Sequence, residues 1–192
     1  MAATALKTKV FSKKEYLALE EKSEVRHEFH NGKIIEMPGG TINHSRITAQ
    51  IISALIVATE KKDKEYIVFS PDMKILIPNE NSILYADALV VCEKIEYLAG
   101  RKDVILNPVL IVEVLSPSTE NFDRNGKFML YKQLPSLKEY VLVKQERPHI
   151  NSFFNEKQGV WLDTVEEDLN KTIYLASIDV TLSLKQIYKG IF

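Results

Sequence analysis

The chain has 192 residues, 45% hydrophobic and 27% charged, which is ordinary for a soluble globular protein and long enough for a substantial core. Its 25 Lys and Arg against 26 Asp and Glu leave a net charge of −1, so no overall basic footprint announces nucleic acid, although a local basic groove stays open. The single Cys92 excludes a disulfide framework or a thiolate metal site within one chain and is expected as a small buried apolar residue; with no apolar run of membrane-spanning length and no apolar leader, a cytoplasmic setting without a membrane partner is expected.

The first element is announced by Ser12-Lys13-Lys14-Glu15, a capping box with Phe11 and Tyr16 placed as its hydrophobic staple. This short helix carries Tyr16, Leu17 and Leu19 and runs out in the charged residues 20–24. Residues 25–30 and 33–37 flank Asn31-Gly32, the strongest short-range hairpin signal because both turn residues need positive φ. That register sets Glu28 opposite Ile35, and a carboxylate so placed reads most simply as a solvated edge residue. Pro38-Gly39-Gly40-Thr41 is a loop and a poor match to any phosphate-binding fingerprint. From about Asn43 the pattern is helical: Ile47, Ile51, Leu55 and Ala58 share a face that Ile52 and Ile56 broaden, and residues 61–65 form a solvated end.

Strands are predicted over 66–70, 73–77 and 85–92, the last with Asp87 at its entrance. Residues 93–104 read as a charged, loosely helical connection. The run 110–115 then has the β-branched and aliphatic character of a strand buried on both faces, except for Glu113. A carboxylate there needs a cation, a proton or a solvent-reaching strand end; a structural salt bridge is the simplest such arrangement. Ser116-Pro117 stops the strand and Thr119 can cap the next helix. That helix, over 119–133, would point Asp123, Lys127 and Tyr131 along one face at i, i+4 spacing, with Lys132 turned away. A short strand over 139–143 comes next. Beyond Arg147-Pro148, residues 149–154, 160–165 and 173–175 read as antiparallel strands, and Ser183-Leu184-Lys185-Gln186 as the capping box of a last short helix.

This order predicts an α/β protein: one domain over 1–192, whose mixed central sheet is flanked by helices. Its core spans 43–143, a helix and hairpin over 11–37 precede it, and strands with a short helix over 149–192 elaborate it. If the strands of Asp87 and Glu113 are neighbours, their carboxylates meet at one end of the sheet and repel unless a cation lies between them. Such oxygen ligands suit magnesium or manganese, and a nearby Lys could hold a phosphate or help ionise a metal-bound water.

An Asp followed by a Glu on the next strand, inside an α-β-β-β-α-β order, resembles the PD-(D/E)XK restriction-endonuclease-like superfamily. More closely, Glu24-x-Arg26-His27-Glu28 with Asn31-Gly32, Asp87-Ala88-Leu89-Val90-Val91, and Val112-Glu113-Val114-Leu115-Ser116-Pro117-Ser118-Thr119 resemble the Uma-type restriction endonuclease family. Asp123-x-x-x-Lys127-x-x-x-Tyr131 and Glu139-Tyr140-Val141-Leu142-Val143 fit the same pattern. The resemblance implies a metal-dependent endonuclease hydrolysing DNA phosphodiesters. It implies Asp87, Glu113 and the Val114 carbonyl as ligands of magnesium, or of manganese. The superfamily's Lys two residues after the Glu would fall at Leu115, so the resemblance moves that role to Lys127, supported by Asp123 and Tyr131. Ala86 replaces the usual Pro before the acid. Glu28 resembles an additional acidic residue near the metal, and His44 stands where the family often has His, although a His at a helix start is commonly a cap or surface residue. Nucleic acid, DNA in particular, is the expected partner, with a homodimer as the candidate assembly. A non-catalytic nucleic-acid-binding or assembly module with the same fold, and a hydrolase of small phosphorylated substrates, are the other readings.

Overall fold

The computed structural model describes residues 9–117, 119–157 and 159–192; Ser118 of the signature lies outside the described residues. Helix α1 (Lys13–Glu20) forms both halves of its capping box, Ser12 accepting the Glu15 N–H and Glu15 taking the Ser12 N–H. Strands β1 (His27–His30) and β2 (Lys33–Glu36) close through Asn31 at φ 43° and Gly32 at φ 91°. Both turn residues have the left-handed backbone a two-residue hairpin of matching twist requires. Glu28 does face Ile35 across this hairpin, yet the acid is buried and the isoleucine exposed. The solvated-edge reading of Glu28 is corrected because β1 pairs on its other side with a strand distant in sequence, which makes β1 an interior strand.

Helix α2 (Ile42–Thr59) starts from the Thr41 cap and buries Ile47, Ile51 and Leu55, while Ile56 faces out. After it come β3 (Tyr66–Phe69), β4 (Lys74–Ile77), a 3₁₀ turn (Pro78–Glu80), β5 (Ser82–Tyr85) and β6 (Ala88–Cys92). The single strand expected over 85–92 is thus two: Tyr85 ends β5, Ala88 begins β6, and the two belong to different sheets. Cys92, expected buried, is partly exposed. Residues 93–104 are irregular, not helical, with Glu93 at φ 61° and a bridge from Tyr97 to Ile105 in the two-residue β7 (Val104–Ile105). Next is β8 (Leu110–Leu115). The helix expected over 119–133 contains a π-helical stretch (Phe122–Lys127) and ends in α3 (Phe128–Tyr131). Strands β9 (Glu139–Lys144), β10 (Ile150–Lys157) and β11 (Val160–Glu166) follow. Then β12 (Thr172–Leu175) pairs with β13 (Val180–Ser183), a strand the sequence pattern did not reveal, before α4 (Leu184–Ile187). Ser183 stands at the start of α4, but its side chain makes no capping bond, so the second capping box is not formed.

One mixed sheet runs β2-β1-β5-β4-β7 and a second runs β11-β10-β9-β8-β6-β3, with β12 and β13 as a separate ribbon. The pairs β4–β7 and β8–β9 are parallel and the others antiparallel. Alternation along the central strands divides their side chains between two cores. Leu110, Val112 and Val114 of β8 join Val141 and Val143 against Ile47, Ile51 and Leu55 of α2 and the C-terminal ribbon. Ile111 and Leu115 point the other way, with Leu89, Tyr140 and Leu142, toward Ile75, Ile77 and Leu84 of the first sheet and Phe128 and Tyr131 of α3. A smaller cluster of Tyr16, Phe29, Leu76 and Ile83 seats α1 on the outer face of the first sheet. Each fully buried aliphatic side chain in these layers contributes about 1.5–3 kcal/mol, so the layering is set by where the alternating apolar residues can go. Among the described residues, no helix is long and apolar enough to cross a membrane.

Candidate active site

Glu113 shares a face of β8 with Ile111 and Leu115, so the alternation that builds the second core also drives a carboxylate into it. Pairing of Ala88 with Val112 sets Asp87, the residue before β6, across from Glu113. Asp87 turns its side chain back onto β8, where Oδ2 accepts the Val114 N–H at 2.7 Å. That contact helps explain the break before β6: the Asp side chain takes a main-chain donor at the point where the chain leaves one sheet for the other, as expected of a poor strand former.

Lys127 reaches this point from the π-helical stretch. Its Nζ lies 3.1 Å from Oε1 of Glu28, 3.1 Å from Oε1 of Glu113 and 3.7 Å from Oδ1 of Asp123, and it donates to the Tyr85 carbonyl at 3.0 Å. The Tyr131 hydroxyl lies 3.2 Å from Glu113 Oε1 and 3.1 Å from the same Tyr85 carbonyl. π-helical turns are frequent at functional sites. Here the turn is pinned by Tyr140, whose hydroxyl donates to the main-chain carbonyl of Asp123 at 2.9 Å. From β1, Glu28 also accepts the Tyr85 N–H at 3.3 Å and meets His30 Nε2 at 3.1 Å through its other oxygen. Helix α2 contributes His44, whose Nε2 is 3.2 Å from Asp87 Oδ2. The start of α2 is fastened to β8 by Gln145, which donates to the Leu115 carbonyl at 3.1 Å and bonds the Thr41 hydroxyl.

Three carboxylates, Glu28, Glu113 and Asp123, therefore surround one lysine, and Asp87 stands across from Glu113. Burial pushes Glu113 well above the usual carboxylate range, and although Lys127 opposes this, the charges of Asp123, Asp87 and Glu28 add to it. Asp123 is raised for the same leading reason. Burial would raise Glu28 too, but Lys127 and His30 outweigh it and hold Glu28 below its ordinary value. Burial also favours a neutral Lys127, yet Glu113, Glu28 and Asp123 together drive it well above the ordinary lysine value. The acidic neighbours thus favour an ammonium on Lys127, Glu28 is favoured as the carboxylate, and burial biases Glu113 toward its protonated form. His44 is raised: its burial opposes the charge, and the bond to Asp87 more than compensates.

A cavity of about 550 Å³ opens onto this cluster, and Asp87, Glu113, Val114, Asp123, Lys127 and His44 all line it. Glu28 and Tyr131 lie behind that wall and act through Lys127 and Glu113. Lys132, expected to be turned away, does not line this cavity and packs its ammonium 3.9 Å from the Phe128 ring centroid. Sequence reasoning missed the Tyr85 carbonyl, His30, Tyr140 and the Thr41–Gln145 clasp. No side-chain pattern signals a main-chain acceptor, and the others act only through contacts between segments far apart in sequence.

Whether the donors suit a divalent cation can be judged from their free atoms. The hydrogen bonds of Asp87 end on Oδ2 and those of Glu113 on Oε1, so among the described residues Oδ1 and Oε2 have no protein donor. Among the described residues no group of three or more His, Cys, Asp or Glu is arranged around a metal position. Two carboxylates with several waters is the habit of magnesium, so the donor set fits that ion.

The sequence pattern of the Uma2 family, described as "Putative restriction endonuclease", matches residues 14–185. The chain belongs to this family. Two relatives from Synechocystis sp. (strain ATCC 27184 / PCC 6803 / Kazusa) support the placement, both named as uncharacterized proteins. The protein slr1290 is 35% identical over 182 residues, 94% of this chain and 92% of the relative. The protein sll1609 is 34% identical over 157 residues, 82% and 88% of the two chains. The fold of this Uma2 chain also matches a crystal structure titled a putative nuclease belonging to DUF820, from Anabaena variabilis ATCC 29413. That match has a TM-score of 0.76 at 15% identity and covers 95% of this chain and 99% of the other. At that identity the likeness concerns the fold, and it bears out the α/β, restriction-endonuclease-like class expected from the sequence.

Proposed function

We propose that this Uma2 protein is a metal-dependent endonuclease that hydrolyses phosphodiester bonds in DNA. The observation that carries the reading is the convergence of Glu113 on β8 and Asp87 at the entrance to the neighbouring β6, with the Lys127 ammonium 3.1 Å from Glu113 at the base of one cavity. Asp87, Glu113 and the Val114 carbonyl would hold magnesium, with manganese the alternative; the ion supplies an acidified water and a counter-charge for the phosphate.

The chain's own residues prepare that chemistry. Lys127 has three N–H donors, matched by the Tyr85 carbonyl, Glu28 and Glu113. It therefore holds Glu113 in place and sets a fixed positive potential beneath the position where phosphoryl charge develops. Tyr131 orients the same Glu113 oxygen, His44 orients Asp87, and Asp123 supports Lys127 from one turn earlier. Family membership and the nuclease title of the structural neighbour support the class of reaction. The test is cleavage of supercoiled, linear duplex and single-stranded DNA, with RNA alongside, in magnesium and in EDTA. Magnesium-dependent cleavage that Glu113→Gln abolishes is the expected result. Tight DNA binding with no cleavage under any condition would leave the non-catalytic module as the correct reading.

A further inference from the structure

A phosphodiester brings negative charge to a cavity already lined by Asp87, Glu113 and Asp123, so its binding needs a cation that no buried group claims. Among the described residues on that wall, Lys127 and Arg26 are the cations, and His44 can become one. Lys127 directs its donors to the Tyr85 carbonyl, Glu28 and Glu113, and His44 is bonded to Asp87. Arg26 is held differently.

Arg26 precedes β1, and its carbonyl accepts the Met37 N–H at 2.8 Å, so the hairpin ladder continues through it. Strand alternation then sets Arg26 on the same face as Glu28, two residues on. Its guanidinium carbon lies 5.8 Å from the centre of the Tyr85 ring, and Nη1 donates to the Pro71 carbonyl at 3.2 Å. Tyr85 is the residue whose carbonyl receives Lys127 and Tyr131, and its own hydroxyl donates to Glu20 at 2.8 Å. Arg26 is therefore seated on the framework that fixes the buried cluster. Its Nη2 bonds Asp72, which also accepts the Ser70 hydroxyl at 3.1 Å and does not line the cavity. The side chains of this pair are 47% and 69% exposed, and an ion pair so exposed is weak and exchanges readily. These bonds use two of the five N–H donors of a planar fork that matches phosphate oxygens in pairs.

We infer that Arg26 is the residue that grips a backbone phosphate of the nucleic acid entering the cavity, and that Asp72 holds the guanidinium until the phosphate replaces it. The ligand's identity rests on the endonuclease reading above. The test is binding of fluorescent single-stranded and duplex DNA across a salt series, in EDTA and in calcium so that cleavage plays no part. Arg26→Ala is expected to bind about tenfold more weakly and to lower the slope of log affinity against log salt by about one, with melting nearly unchanged. Arg26→Lys keeps the charge without the fork, so it should restore the slope but only part of the affinity. Asp72→Asn releases the guanidinium and should tighten binding severalfold, a gain that should vanish when it is combined with Arg26→Ala. If wild type binds DNA and Arg26→Ala binds equally well with an unchanged slope, the inference is wrong while the endonuclease reading stands. An Asp72→Asn gain that persists without Arg26 reflects net charge alone and also overturns it. Should Arg26→Ala melt far below wild type, Arg26→Lys decides, and affinity equal to wild type in that variant refutes the grip by the fork. If wild type neither binds nor cuts any nucleic acid, the endonuclease reading falls and this inference with it.

Discussion

Replacing Lys127 with Ala removes the ammonium shared by Glu28, Glu113 and Asp123, so it tests both the electrostatics and the chemistry. At an effective dielectric of about 20, the Lys127–Glu28 contact at 3.1 Å amounts to roughly 5 kcal/mol of gross attraction, much of it offset by the several kcal/mol needed to desolvate the ammonium. Deleting one partner of such a buried pair typically costs about 3–5 kcal/mol. The lower end applies here, because burial already biases Glu113 toward its protonated form. The pH dependence carries the sharper test. In wild type, Lys127 and His30 hold Glu28 below its ordinary value, so its contribution to stability is present above the unfolded-state pKa and lost as pH falls through the folded one. Without Lys127, burial dominates and raises Glu28. Its contribution is then present at low pH and lost as pH rises through the folded pKa. The deficit of the variant should therefore be about 3 kcal/mol near pH 8 and clearly smaller near pH 5, measured by urea unfolding at both. Where the variant is still folded, cleavage should fall about 10²–10³-fold, while Lys64→Ala, an exposed control, should cut normally. A deficit independent of pH, or equal cleavage by the two variants, would refute the role assigned to Lys127.

Glu113→Gln removes a group whose folded pKa is raised, so the wild-type contribution is present at low pH and lost on the alkaline side. The variant should match wild type near pH 4, be more stable than it near pH 8, and have no metal-dependent cleavage. For the same reason magnesium binding is expected to release a proton from Glu113; calorimetry in buffers of different ionisation enthalpy should detect it, with affinity rising with pH, and binding without proton release would contradict the upward shift of Glu113. Asp87→Asn keeps an acceptor for the Val114 N–H but loses a carboxylate, so it should fold normally and cut poorly; full activity would remove Asp87 from the site. Gly32→Ala puts a Cβ 2.5 Å from Val10 Cγ1 at a φ of 91°, and should cost more than about 1 kcal/mol in thermal unfolding.

Local signals in the sequence were read correctly where the physics is local. The Ser12 box, the Asn31-Gly32 turn, the apolar face of α2 and the run of β8 each depend on residues within a few positions of one another, and each formed. The second capping box shows the limit of that reasoning: Ser183 is claimed by strand β13, paired with Thr172, before it can cap a helix. The strand break at Ala86-Asp87 and the π-helical course before Lys127 were equally hidden, because their determining contacts come from Val114 and Tyr140 in other strands.

By itself, the sequence determined that Glu113 is a charge in an apolar strand, and that Asp123, Lys127 and Tyr131 lie along one helical face after it. It left open whether Glu113 was a structural ion pair, a strand-end residue or a site acid, because burial and counter-charge belong to the assembled fold. Tertiary structure decided that Glu28, read as a solvated hairpin residue, is the second acid on Lys127, since pairing of β1 with β5 converts an edge strand into an interior one. It also decided that His44 reaches Asp87 and that the Tyr85 carbonyl receives Lys127 and Tyr131. A hairpin's register depends on neighbouring residues, whereas the protonation and partners of a buried acid depend on every segment packed around it.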